Sequence, residues 1–193
     1  MNTKLKKTKP TNIGVEEAKL LTVENVTKVF TKGQGLAKSK IAAVNNVSFS
    51  MELDQPEIFT LAGESGSGKS TMAKLILGFE MPTSGRIRYK GERIAKLKGK
   101  LEFMRDMQPV FQNPFETFNP LKKIDTYLYE TAKNFRMAEA EQPQLVEKSL
   151  ELVGLSLAEV KDKYPSEMSG GQLQRTSIAR ALITNPSLLI TDE

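Results

Sequence analysis

The sequence has no cysteine and no histidine among its 193 residues. The first absence excludes disulfides and thiolate metal sites, and it fits a reducing compartment. The second excludes a histidine general base or a histidine zinc site within these residues. No run approaches the roughly 18 consecutive apolar residues of a membrane-spanning helix. The first ten residues, Met1 to Pro10, are basic and polar and contain no apolar core that could serve as a secretory signal. Basic residues are not interleaved with aromatics along any face, so nucleic acid is not an expected partner. Internal repeats and low-complexity tracts are also lacking.

What is present reads as globular. Hydrophobic residues make up 39% and charged residues 26%, and the length suits one domain. The net charge of +5 comes largely from the leader and from residues 90–100. Residues 1–18 read as a disordered, solvated leader whose few lysines attract anionic lipid only weakly.

The hydrophobic pattern alternates between strand and helix periods. Residues 20–29 and the alternating Val47, Phe49, Met51 and Leu53 predict strands, separated by a Gly-, Lys- and Ser-rich loop over 31–40. Residues 58–62 form a short apolar run ending at Gly63, as a buried strand would. Residues 69–77 predict a helix closed by Gly78. Short strands are expected over 86–90 and 107–111. Beyond them Leu121, Ile124, Leu128, Ala132 and Phe135 fall on one helical face, and Leu145, Val146, Leu150 and Val153 on another. Residues of about 113–168 therefore predict a helical insertion in an α/β chain. A helix over 169–183 follows, then a buried strand, Leu188-Leu189-Ile190, running into Asp192 and Glu193.

Between the strand at 58–62 and the helix at 69–77 lies Gly63-Glu64-Ser65-Gly66-Ser67-Gly68-Lys69-Ser70-Thr71. It fits the spacing G-x-x-x-x-G-K-S/T in the strand–loop–helix setting that gives the motif its chemistry. Glycines let successive backbone N–H groups converge on a phosphate, and the helix N-terminus adds unpaired donors and partial positive charge. Lys69 is placed to reach β- and γ-phosphates, the Ser70 hydroxyl to ligate Mg²⁺, and Thr71 to support the α-phosphate side. The loop predicts binding of a nucleoside triphosphate without saying which class of NTPase carries it.

Three later segments narrow the class. Ser169-Gly170-Gly171-Gln172 opens a helix, where Ser169 can cap and the glycine N–H groups can meet a second anion. Leu188 to Thr191 is an apolar stretch ending in Asp192-Glu193. Gln112, in Val110-Phe111-Gln112-Asn113-Pro114, stands just before the helical insertion. In this order the segments resemble the signature motif, the Walker B segment and the Q-loop of ABC-transporter ATPases. The resemblance covers about residues 20–193. The phosphate loop, the run Phe111 to Pro120 with its two Asn-Pro pairs, and Tyr164-Pro165-Ser166-Glu167-Met168 before Ser169 resemble the ATP-binding subunits of oligopeptide and dipeptide importers.

The resemblance implies an α/β P-loop NTPase (RecA-like) core, with an N-terminal antiparallel β subdomain and an α-helical insertion. It implies ATP hydrolysis with Mg²⁺ held by Ser70, Gln112 and Asp192. Glu193 would be the general base, assisted by Gln112 and Lys69, and Phe30 would stack on adenine, although a strand-end core phenylalanine is the other reading. It further implies a second ABC cassette, identical or not, so that ATP lies between the phosphate loop of one and Ser169 to Gln172 of the other. Two integral-membrane permease subunits and, indirectly, a solute-binding protein complete the implied assembly, with this chain on the cytoplasmic face of the membrane. Cargo in such systems is usually peptide, with nickel and oligosaccharides as alternatives.

Departures from the family pattern are Met168 for leucine, Ser166 for histidine and Pro56 for glycine. The family also continues past the point of Glu193 with a D-loop, further core strands and a switch histidine. The expected core is therefore incomplete at that end, with apolar surface exposed and stability marginal. A fragment of a transport ATPase is the reading that follows; a truncated, non-catalytic nucleotide-binding module and an ABC ATPase outside import are the alternatives.

Overall fold

The computed structural model describes residues 19–32 and 39–191. The predicted leader lies outside them, as do Asp192 and Glu193. Strands β1 (Lys19–Lys32) and β2 (Ser39–Glu52) form a long antiparallel pair. Strand β3 (Ser84–Tyr89) pairs with the other edge of β1 and carries the short β4 (Glu92–Arg93), giving the order β2-β1-β3-β4. This is the expected N-terminal antiparallel subdomain. Its inward residues, Leu21, Val23, Val26, Val44, Met51 and Ile87, are buried. They pack with Met72, Leu75 and Ile76 of helix α1 (Lys69–Ile76) into one core. Each such side chain contributes roughly 1.5–3 kcal/mol by leaving water.

The short helices α2 (Ile94–Leu97) and α3 (Leu101–Asp106) are not foreshadowed by any periodicity. They lead into β5 (Met107–Val110), which pairs in parallel with β6 (Leu188–Thr191). Between these strands lies the predicted helical insertion: α4 (Pro114–Thr117), α5 (Ile124–Asn134), α6 (Gln142–Glu151) and α7 (Leu157–Val160). Helix α8 (Gly170–Leu182) then returns the chain to the core. Ile124, Leu128 and Ala132 of α5, Val146 and Leu150 of α6, and Leu173 of α8 are completely buried in a second core. The 3.6-residue period anticipates the buried side chains of α5 and α6. Leu121 is the exception: it precedes α5 and is 86% exposed.

One expected strand does not form. Residues 58–62 form no regular element and belong to no sheet, and Ile58 is 98% exposed. A strand exists only where a partner takes its N–H and C=O groups. An open cleft separates residues 56–61 from β6, so that partner is lacking among the described residues. Phe59 instead stacks on Phe49 of β2 at 4.6 Å between ring centroids.

A polar clasp ties the two sheets together. The Asp106 carboxylate accepts from the Tyr89 hydroxyl at 2.7 Å and from Lys90 Nζ at 2.5 Å. It also accepts from the Ser187 hydroxyl at 2.6 Å and the Ser187 N–H at 3.2 Å. Asp106 and Ser187 immediately precede Met107 and Leu188, the first pair of the β5–β6 ladder. The clasp thereby fixes the register of the strands that lead to Gln112 and Asp192.

Burial alone would raise the Asp106 carboxyl, but hydrogen bonds from Lys90, Ser187 and Tyr89 outweigh it and hold the group at about 2. The same burial and the neighbouring carboxylate push the Tyr89 hydroxyl well above its ordinary range. A carboxyl depressed in the folded state stabilises above its unfolded value of about 3.9, and that contribution fades as pH falls through about 2. Asp106→Asn is expected to lose about 1–2 kcal/mol at neutral pH, allowing for its partial exposure. Urea unfolding of both proteins from pH 7 to pH 2 checks this, since the difference should shrink between about pH 4 and pH 2.

Candidate functional site

The phosphate loop begins at Gly63, after the irregular segment, and runs into α1. Gly63 through Ser67 are exposed, and Gly68 caps the helix in a left-handed conformation at φ 98°. A glycine is obligatory there. A β-carbon on Gly68 would lie 2.0 Å from the Ala43 carbonyl oxygen of β2, so the loop rests directly on the antiparallel sheet. Gly66 is also left-handed, at φ 79°, but faces open space. The Ser67 N–H donates to the Glu64 carbonyl at 3.1 Å, and Met72 N–H to Gly68 at 2.9 Å, closing the loop and starting the helix.

Lys69 folds back over its own loop. Its Nζ donates to the carbonyls of Gly63 at 2.7 Å and Glu64 at 2.9 Å. This places an ammonium at the mouth of the helix N-terminus. The first turn of α1 has no acidic residue to neutralise it. Ser70 and Thr71 occupy that same turn. The donor set suits a polyphosphate: exposed loop N–H groups, a helix N-terminus, a mobile-stemmed cation and a hydroxyl.

The remaining predicted residues distribute as follows. Phe30 lies near the end of β1, opposite Ile41, and is 40% exposed rather than core. Lys28 Nζ stands 4.9 Å from the centre of its ring while bonding Glu80 at 2.8 Å. Gln112 is exposed in the turn directly after β5, and Asn113 caps α4 by accepting from the Phe115 N–H at 3.1 Å. Lys69 and Thr191 line one cleft, so the strand leading to Asp192 and the phosphate-loop lysine border the same space.

Ser169 to Gln172 line no part of that cleft. They form a complete capping box: Gln172 N–H donates to Ser169 Oγ at 3.2 Å, and Gln172 Oε1 accepts from Ser169 N–H at 3.0 Å. The hydroxyl thus serves as a helix-cap acceptor, which sequence reading anticipated. Gly170 and Gly171 are exposed, and a β-carbon on either meets nothing nearer than 3.8 Å. Among the described residues nothing requires glycine at these two positions. The Asp106 clasp, by contrast, left no sequence signal, because Ser187 lies 81 residues away.

The sequence profile described as "ABC transporter" matches residues 44–193. The chain belongs to the ABC transporter family. The cassette is 39% identical over 156 residues to the oligopeptide transport ATP-binding protein OppF of Lactococcus lactis subsp. lactis, covering 79% of this chain and 48% of that relative. It is 42% identical over 180 residues to a probable peptide ABC transporter ATP-binding protein, y4tS, of Sinorhizobium fredii, covering 90% and 50%. It is 40% identical over 178 residues to the nickel import ATP-binding protein NikE of Escherichia coli, covering 90% and 65%. The cassette therefore spans about half to two thirds of the length of these curated relatives.

Among solved structures, cbiO1 of Clostridium perfringens, part of the complex cbiONQ, superposes with a TM-score of 0.74 at 26% identity, covering 92% of this chain and 66% of that one. The dimeric post-hydrolysis cassette MJ0796, bound to ADP and Pi, gives 0.72 at 28% identity, covering 89% and 72%. The α/β P-loop core with an antiparallel subdomain and helical insertion is thus the fold of this cassette. No described helix is long and apolar enough to cross a membrane.

Proposed function

We propose that this chain is the ATP-binding, ATP-hydrolysing portion of a subunit that energises import of oligopeptides or similar solutes. The observation that carries the proposal is the phosphate loop: an uncompensated helix N-terminus with Lys69 held across it, in a chain whose relatives are named for peptide transport. Nickel is the second cargo class, on the strength of NikE.

In this proposal ATP displaces the Gly63 and Glu64 carbonyls from Lys69, which turns to the β- and γ-phosphates. Loop N–H groups from Glu64 to Thr71 and the α1 N-terminus hold the phosphates, and Phe30 offers its exposed ring to adenine. Ser70, Gln112 and Asp192 would hold Mg²⁺, which neutralises charge on the phosphates when bound. Glu193 orients and deprotonates the attacking water, with Gln112 beside it. Ser169 to Gln172 act on the nucleotide of a second cassette. That they do not line the cleft bordered by Lys69 and Thr191 supports a site completed between two chains. Permease subunits and a solute-binding protein would supply cargo recognition, with the chain at the inner face of the membrane.

Lys69→Ala tests the reading. It is expected to weaken binding of a fluorescent ATP analogue at least tenfold, the loss of one charge-assisted contact of about 1.5–3 kcal/mol. It should also reduce hydrolysis by the assembled transporter to background. Unchanged nucleotide affinity in a folded Lys69→Ala protein would remove the phosphate loop from the proposal.

A further inference from the structure

Lys28 stands beside the phosphate loop, yet its charge is committed within the chain. It pairs with Val44 across the β1–β2 ladder, so the two side chains share one face of the sheet. That face carries the phosphate loop: a Val44 methyl group lies 3.5 Å from the position of a β-carbon on Gly68. A lysine so placed is an obvious candidate for a further phosphate ligand, but its geometry excludes that role. Nζ donates to the Glu80 carboxylate at 2.8 Å and to the Met81 carbonyl at 2.9 Å, both in the turn after α1. The side chain is only 14% exposed. Hydrogen bonding and charge from Lys28 hold the Glu80 carboxyl below its usual range, so the pair stays ionised at neutral pH.

The remaining side of the ammonium meets an aromatic ring. Lys28 and Phe30 are two residues apart on β1, so their side chains project to the same face. Nζ stands 4.9 Å from the centroid of the Phe30 ring, within cation–π range. The backbone around the pair is pinned as well. The Val29 N–H donates to the Thr83 hydroxyl at 3.0 Å, and the Thr83 N–H to the Thr27 carbonyl at 2.8 Å. An exposed phenylalanine at a strand end ordinarily samples more than one rotamer. Here a tethered cation fixes where the ring stands, although the residue is 40% exposed.

We infer that Lys28 is a positioning residue for the nucleotide: it fills one face of the Phe30 ring and ties it to the turn after α1, leaving the opposite face as the platform for the base. This role rests on the proposed stacking of adenine on Phe30, and Lys28 itself touches neither base nor phosphate. Holding the ring before the nucleotide arrives lowers the ordering cost of the stack. The cation also draws the ring's electron density to its own side, which lessens repulsion between the open face and a purine π-system.

Calorimetric titration of the 193-residue chain with ATP and with inorganic tripolyphosphate separates the base from the phosphates. Phe30→Ala comes first. It should weaken ATP binding at least about fivefold, the loss of one base–aromatic stack, and leave tripolyphosphate binding unchanged. Unchanged ATP affinity in Phe30→Ala would remove the stacking role of Phe30, and the role of Lys28 with it. Where the stack holds, Lys28→Met tests Lys28 alone, because it keeps an apolar stem of similar length and removes the cation. ATP should bind about two- to fivefold more weakly, the worth of an exposed cation–π contact, with tripolyphosphate binding unchanged. Lys28→Arg, which still covers the ring and pairs with Glu80, should keep wild-type ATP affinity. In a Phe30→Ala background Lys28→Met should cost nothing further, because the ring through which it acts is gone.

An equal loss of tripolyphosphate binding, or a Lys28→Met loss that persists without the ring, would make Lys28 a strut of the fold. Either result overturns the inference while the adenine stack stands, and so does unchanged ATP affinity in Lys28→Met. Should Lys28→Met not fold, Lys28→Gln takes its place under the same outcomes, since it still donates to Met81 and Glu80 but carries no charge.

Discussion

Gly68→Ala is expected to destabilise the cassette by about 2–5 kcal/mol, summing left-handed backbone strain with the cost of an overpacked contact. The same substitution should abolish nucleotide binding. The new methyl group would sit 2.0 Å from the Ala43 carbonyl oxygen, well inside any real contact. Ala43 has little room to retreat. It is the extra residue of a bulge in β2, held between Ala42 and Val44, which pair with the consecutive Val29 and Lys28 of β1, and Val44 is buried in the core. The strain therefore falls on the loop. Its displacement would pull the Gly68 carbonyl from the Met72 N–H and move the first turn of α1, which carries Lys69, Ser70 and Thr71.

Gly66→Ala supplies the comparison. Gly66 is left-handed too, at φ 79°, but no atom lies within 4 Å of the position its β-carbon would take. Only the conformational strain remains, about 1–2 kcal/mol. Urea unfolding midpoints should rank wild type above Gly66→Ala, and Gly66→Ala above Gly68→Ala. Fluorescent ATP-analogue binding should persist in Gly66→Ala and vanish in Gly68→Ala. Equal midpoints for the two variants would mean that the loop does not rest on β2 as described.

The contrast shows what sequence could and could not convey. The spacing of glycines, Lys69 and Ser70 announced a phosphate loop because that chemistry is local, confined to nine consecutive residues. The helical insertion was legible for a similar reason: Ile124, Leu128 and Ala132 declare one buried face within a single helix. Nothing in the loop's own sequence says which of its glycines meets Ala43, since that contact crosses 25 positions and depends on sheet register. Ile58 to Ala62 misled in the opposite sense. Its apolar run is a genuine strand sequence, but period and composition cannot report whether a pairing edge is present. Helices α2 and α3 escaped notice because four- and six-residue helices are too short to display a period. The cap role of Ser169 is legible in the sequence because the capping box again lies within four residues.

Gly171→Ala should leave the single chain intact and cripple the assembled transporter. Gly171 occupies the first turn of α8, and its ideal β-carbon would approach only Arg175 Nη1, at an ordinary 3.8 Å. Alanine is the better helix former, by up to about 1 kcal/mol relative to glycine, so thermal stability should be unchanged or slightly raised. ATP-analogue binding by the chain alone should also be unchanged, because Ser169 to Gln172 do not line the cleft that holds Lys69. A glycine that its own chain neither needs nor favours is explained by a close approach from outside. In the proposed assembly that approach is the triphosphate on the partner's loop, met by backbone N–H groups at the helix start. Removing one preorganised donor contact typically costs about 10²–10³ in turnover. Hydrolysis by the reconstituted transporter should fall by that order while Ser169 still caps the helix. Ser169→Ala is the less informative variant, since loss of the cap costs about 0.5–2 kcal/mol and confounds stability with activity. Full hydrolysis by a Gly171→Ala transporter would leave Ser169 to Gln172 as an ordinary capped helix start and remove them from the site.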